Sequence, residues 1–134
     1  ERFIRKHRIT AYRFNPNFPV NTLMLMRGAV AAQKEGVLDA YVKAGFHHMW
    51  EAPKKMDDPQ VFRAAFLESG LDIDTLIARA QDADVKNQLL ENTQHAVDRG
   101  VFGAPSFFVG DELFFGKDRL HAVEEEIQRQ SRAA

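Results

Sequence analysis

At 134 residues with 45% hydrophobic side chains, the chain can bury a sizeable core, and its length favours one compact domain. Eighteen basic against 19 acidic residues leave a net charge of −1, which gives no electrostatic footprint for nucleic acid or an anionic membrane surface. With no cysteine there is no disulfide, thiolate nucleophile or thiolate metal ligand, and no run of apolar residues is long enough to span a bilayer.

Glu1 to His7 has the pattern of the last turns of an amphipathic helix without a cap, so sequence is expected upstream of it. "ERFIRKHRIT" is basic but is followed by no apolar stretch, so it does not read as a secretory leader, and a soluble cytoplasmic protein is expected. "AYRFNPNFPVN", Ala11 to Asn21, mixes aromatics and asparagines with two prolines. Each proline drives its predecessor toward extended geometry, which predicts an irregular connector that either covers the core or faces a substrate.

From Asn21 to Arg99 apolar residues recur at three- and four-residue spacing, which predicts helix after helix. Leu23, Met26 and Val30 form one inward stripe, closed by Gly36. Leu38, Tyr41, Val42, Gly45, Phe46, Met49 and Trp50 form a broader one, ended by Pro53. Asp58 is the expected N-cap of a third helix, with Pro59 at its first position, Val61, Phe62, Ala65 and Phe66 inward, and Gly70 as stop. Asp72 or Asp74 opens a short helix through Leu76, Ile77 and Ala80. Asp84 opens another, with Val85, Leu89, Ala96 and Val97 inward and Gly100 ending it. After Gly100 the period changes: "SFFV" and "ELFF" flank Gly110-Asp111, which predicts a β-hairpin. Asp118 is then the expected cap of a last helix carrying Leu120, Val123 and Ile127 on one face.

Few residues carry recognisable chemistry. His47 and His48 point about 100° apart on their helix, so they do not form the i, i+4 pair a metal needs, and His7, His95 and His121 are isolated; no metal site is expected. No phosphate cradle, dinucleotide fingerprint or nucleophile elbow occurs, and Ser69, Ser106 and Ser131 have no histidine beside them in sequence. The two ends of the hairpin are more informative. Pro105 leaves the backbone N–H and C=O of Ala104 off the strand ladder and open to an extended ligand. Asp118, as a cap, would set free helix N–H groups against a ligand carboxylate and its own carboxylate against an ammonium group. The pair suits a zwitterion with a peptide arm; the plainer alternative is a punctuating proline and an ordinary cap.

"DRGVFGAPSFFVGDELFFGKDRL" resembles the C-terminal signature of the 2-hydroxychromene-2-carboxylate isomerases, relatives of the kappa-class glutathione transferases in the DsbA-like branch of the thioredoxin superfamily. "VKNQLLENTQHAVDRG" and "FNPNFPVNTLMLMR" are similar to the family as well, so the resemblance covers essentially the whole chain. It implies an α/β fold, a DsbA-like thioredoxin domain with a helical insertion. The N-terminal βαβ unit lies outside this chain, which is therefore mostly α with one C-terminal β-hairpin. Residues 1–20 would be a connector from the missing half, 21–99 the insertion with its flanking helix, and 100–134 the thioredoxin C-terminal half.

The resemblance further implies that Pro105 is cis and that glutathione is the cofactor, held by Ala104 and Pro105 and by the segment Phe115, Gly116, Lys117 and Asp118. At position 117 a small or amide side chain would be usual in the family, and Lys117 would instead pair with a carboxylate. Phe18 and Val20 would wall the aromatic side of the substrate, with Asn21 as a polar tip. The serine that activates the thiol precedes this chain, so no catalytic residue is expected within it. The implied reaction isomerises 2-hydroxychromene-2-carboxylate, or a related aromatic degradation intermediate, to the trans-benzylidenepyruvate by reversible thiol addition. The implied partners are glutathione, a small aromatic carboxylate and a second copy in a homodimer. Two other functions fit the same residues: a non-catalytic glutathione- or peptide-binding module, and a DsbA-like dithiol oxidoreductase if Cys-x-x-Cys stands upstream.

Overall fold

Caps and stops set the helix boundaries in the computed structural model, which describes residues 2–133. The elements in order are α1 (Arg2–Lys6), α2 (Leu23–Lys34), α3 (Leu38–Trp50), α4 (Pro59–Glu68), α5 (Ile73–Arg79), α6 (Ala83–Asp98), β1 (Ser106–Val109), β2 (Glu112–Phe115), a 3₁₀ turn (Lys117–Arg119) and α7 (Leu120–Ala133). Glu1, expected in the first helix, and Ala134, the end of the expected C-terminal half, lie outside the described residues.

α4 shows the boundary logic most plainly. The Asp58 carboxylate accepts from the N–H groups of Gln60 and Val61, and Pro59 fills the first position, where a missing N–H costs nothing. Of the two candidates for α5, Asp72 is the cap, accepting from Thr75 N–H, whereas Asp74 turns outward to the Arg63 fork at 2.6 and 2.5 Å. Asp84 does not open α6, which begins one residue earlier; it stands inside the first turn, 3.2 Å from Lys34 and 3.3 Å from Arg79.

The chain divides into two compact units, Glu1–Leu89 and Leu90–Ala134, in place of the single core expected from its length. The run of α6 explains where the first ends: Val85 is buried and Leu89 packs on the core, but Leu90 and Val97 are exposed. The inward placement expected for Val97 is thus corrected.

In the first unit α2 packs on α3 and α5, and α4 on the same two helices. Phe66, Ile73 and Val85 are fully buried at its centre, each contributing about 1.5–3 kcal/mol through the apolar surface it removes from water. Phe66 stacks on Tyr41 at 4.4 Å, and Phe62 lies 4.8 Å from Phe66. The Tyr41 hydroxyl donates to the Leu25 carbonyl at 3.0 Å, and burial pushes its pKa up. That bond requires α2 to pass very close: a Cβ on Gly28 would stand 2.1 Å from the Tyr41 oxygen, so only glycine fits.

Two expected faces are rotated. On α2 the buried residues are Gly28, Val30, Ala31 and Ala32, while Leu23 and Met26 are each 48% exposed. On α3 they are Tyr41, Ala44, His48 and Met49, while Val42 and Phe46 face out, the latter 65% exposed. Close helix approach favours the small side chains, which displaces the larger apolar residues to the rim.

The second unit holds the only sheet among the described residues, an antiparallel pair in the register Ser106↔Phe115 to Val109↔Glu112. Gly110, at φ 59°, fills the first position of the two-residue turn. Arg99 holds one side of the hairpin, its guanidinium 3.5 Å over the Phe108 ring and its Nη2 donating to the Gly110 carbonyl at 2.9 Å. Gln130 of α7 holds the other, donating to Val109 at 3.2 Å, and α7 packs against β1.

Candidate functional site

The hairpin register decides what meets at its open end. Continuing the ladder past Ser106↔Phe115 sets Pro105 opposite Gly116, and the Gly116 N–H donates to the Pro105 carbonyl at 2.9 Å. Pro105 has no N–H to return, and the Gly116 carbonyl accepts instead from Arg119 N–H at 3.1 Å, which starts the 3₁₀ turn. The chain can reverse there because Gly116 sits at φ 101°, a conformation side chains oppose. This single bond joins the proline loop to the segment leading into α7.

The Ala104–Pro105 peptide is cis, as the resemblance implies. Ala104 is exposed, and its N–H and C=O make no hydrogen bond among the described residues. Lys117 and Asp118 are exposed beside the bonded pair, and Phe115 rests on Phe102 with ring centroids 4.7 Å apart. The expected role of Asp118 as helix cap is not what the structure shows. It lies inside the 3₁₀ turn, Gly116 holds the cap position, and no side-chain cap bond forms. The tighter turn adds three residues ahead of α7 and folds the Asp118 carboxylate back toward Gly116, where an added Cβ would stand 2.6 Å from Oδ1. The carboxylate is thereby left at the surface, and among the described residues no backbone N–H donates to it.

Phe18, Val20 and Asn21 belong to the first unit. Their loop is fixed by Asn15, fully buried, whose Nδ2 donates to the Lys54 carbonyl at 2.9 Å and whose Oδ1 accepts from Asn17 N–H at 2.9 Å. Arg13 N–H adds a bond to the Trp50 carbonyl at 2.6 Å. So held, the loop builds an aromatic group that sequence spacing gives no sign of: Trp50 with Tyr12 at 6.0 Å and with Phe18 at 5.6 Å, and Phe14 against Phe18 at 6.2 Å. Phe14 and Phe18 stay more than half exposed, Val20 packs against the core, and Asn21 accepts from Leu23 N–H at the start of α2.

Ser69, which has no histidine near it in sequence, meets His48 in space, Oγ to Nε2 at 2.9 Å. The serine hydroxyl lies 3.2 Å from the Ala65 carbonyl, so it donates there and accepts from the histidine, which assigns the Nε2–H tautomer. Nδ1 is buried and has no hydrogen-bond partner among the described residues. Burial first, then Lys54 and His47, push the His48 pKa down and keep the ring neutral. The pair ties α3 to the end of α4. No group of three His, Asp or Glu side chains able to hold a metal occurs among the described residues.

A proline loop bonded across a hairpin to the entry of the last helix, in a chain otherwise helical, is an arrangement that fits a DsbA-like thioredoxin fold. The family described as DSBA-like thioredoxin domain matches residues 2–128, and the chain belongs to it. Within that family it is 32% identical over 96 residues to 2-hydroxychromene-2-carboxylate isomerase of Sphingobium xenophagum, covering 72% of this chain and 49% of that protein. It is 33% identical over 121 residues to glutathione S-transferase kappa 2 of Caenorhabditis elegans, covering 80% and 52% respectively. The solved selenomethionine structure of 2-hydroxychromene-2-carboxylate isomerase is similar at a TM-score of 0.80 and 25% identity, over 98% of this chain and 64% of that one. The chain spans about half the length of these curated relatives.

Proposed function

We propose that the chain is the helical and C-terminal part of a glutathione-dependent isomerase acting on 2-hydroxychromene-2-carboxylate or a related ring-opened aromatic acid. The observation that carries this reading is the Gly116–Pro105 hydrogen bond, which gathers the unpartnered Ala104 backbone and the exposed Lys117 and Asp118 into one place. The relatives' names support the activity, and the kappa-class relative supports the cofactor.

The residues present suit a γ-glutamyl tripeptide. The Ala104 N–H and C=O would pair with its cysteinyl backbone as an added strand does, and Asp118 would take its ammonium group in a charge-assisted bond. Lys117 would meet a carboxylate, and Phe115 would cover the site from one side. When bound, glutathione supplies a thiol able to add reversibly to an unsaturated skeleton, so that rotation about the former double bond can follow. In this reading the serine activating that thiol, with the βαβ unit completing the sheet, would belong to the part of the protein that residues 1–20 connect to; residues 21–99 would be the insertion with its flanking helix and residues 100–134 the thioredoxin C-terminal half. Phe18, Val20 and Asn21 would face the aromatic acid, and the whole protein would work as a cytoplasmic homodimer. No helix among the described residues is long and apolar enough to cross a membrane.

The test is turnover by the complete gene product. Isomerisation followed by absorbance should stop when the protein is freed of glutathione by gel filtration and return when glutathione is added. Unchanged turnover without it would refute glutathione dependence.

A further inference from the structure

We propose that a groove at the start of α2 binds a small apolar carboxylic acid, with Arg27 as its carboxylate anchor; the inference rests on the reading above only for which acid this is. The groove, of about 310 Å³, is lined by Asn21, Leu23, Met24, Arg27 and Asp57. Met24 and Asp57 also line a second space, an apolar slot of about 100 Å³ with Met56, Phe62 and Ile77 in its walls. The groove, which carries the Arg27 and Asp57 charges, and the apolar slot therefore share a border, the arrangement that suits a ligand with one charged end and one greasy body.

The charges in the groove specify which end. Arg27 is half-buried and makes no hydrogen bond or ion pair among the described residues. Arg63, Arg79 and Arg129, in contrast, all pair with carboxylates. Asp57 is already engaged, accepting from Asn21 N–H at 3.2 Å and lying 3.7 Å from Lys55 Nζ. The uncompensated charge is thus the guanidinium, whose planar fork matches a carboxylate bidentately. Asn21 adds a donor, since its Oδ1 is taken by Leu23 N–H at 3.0 Å while its amide nitrogen makes no bond among the described residues. In the slot, Met24 and Met56 can adapt to a flat ring. Apolar cavities on the order of 150 Å³ hold benzene in other proteins, so the slot with its open border is of the right size class.

The experiment compares salicylate with salicylamide, which keeps the ring and hydroxyl but not the charge, by calorimetry on the protein without glutathione. Salicylate should bind roughly tenfold or more tightly than the amide, and Arg27→Gln should abolish that preference while Arg27→Lys keeps part of it. Carbon-13 methyl signals of Met24 and Met56 should shift with salicylate while that of half-exposed Met26 stays still. Equal affinity for the two probes, an undiminished preference in folded Arg27→Gln, or no binding of either overturns the proposal. Should Arg27→Gln fail to fold, the probe preference, Arg27→Lys and the methyl shifts decide it. With no glutathione present, failure here leaves the isomerase reading standing, and failure of glutathione to bind leaves this test intact.

Discussion

Asn15→Ala removes the buried side chain that pins the loop carrying Phe18, Val20 and Asn21 at its Lys54 side. The bonds of Nδ2 to the Lys54 carbonyl and of Asn17 N–H to Oδ1, both 2.9 Å, disappear with it, as do the weaker contacts of Oδ1 with Asn17 Nδ2 at 3.2 Å and of Nδ2 with Met49 Sδ at 3.8 Å. The Lys54 carbonyl is half-buried and loses a partner water reaches poorly, at about 1–2 kcal/mol, whereas exposed Asn17 recovers a water and loses about 0.5 kcal/mol. The space left by a fully buried amide adds a fraction more, so the expected loss is about 2–3 kcal/mol. Urea unfolding of the protein and the variant measures it as a fall in midpoint at constant m. Asn17→Ala is the control, expected to cost no more than about 0.5 kcal/mol, because Asn17 keeps its main-chain bond to Asn15. A loss below about 0.5 kcal/mol for Asn15→Ala would show that Arg13 and the aromatic contacts hold the loop without it, and would refute this account of how the loop is placed.

Gly28→Ala should destabilise by about 2–4 kcal/mol, since the new methyl would overlap the Tyr41 hydroxyl and break its bond to Leu25; a melting temperature within error of the parent would contradict that packing. Stability should fall as pH drops below about 6.5. There the unfolded chain protonates His48 at its ordinary pKa while the folded chain, with that pKa lowered, does not, so the unfolded state binds more protons. Urea midpoints from pH 7.5 to 5 in the protein and in His48→Gln should show a shallower slope in the variant; parallel curves would exclude His48 as the source.

The hairpin was legible because a Gly-Asp pair between two Phe-rich runs leaves little else possible, and α4 because Asp58-Pro59 and Gly70 bracket it. The family resemblance anticipated the cis bond at Pro105 and the DsbA-like fold. Spacing misled where the helix surface is chosen by its neighbours. Phe46 recurs at the right interval for the α3 stripe yet points outward, and His48, polar and adjacent, is buried instead because Ser69 stands opposite it. Asp118 precedes a helix in the way caps do, but Gly116 had already turned the chain into a 3₁₀ entry. Arg27 interrupts the apolar run "LMLMRGAV", and that interruption was the only sign of an unpaired cation on α2. The meeting of Trp50 with Tyr12 and Phe18 had no sign at all, since it depends on a loop folding across the end of α3.

Calorimetric titration of glutathione into the complete gene product, with and without Asp118→Ala, tests the central claim most directly. Because Asp118 caps nothing in the structure, the variant should keep its urea midpoint while losing the bond to the ligand's ammonium group. A charge-assisted bond is worth about 1.5–3 kcal/mol, so affinity should fall roughly tenfold to a hundredfold. Equal affinity in the two proteins, or no binding to the parent, would place glutathione elsewhere or nowhere and contradict the account.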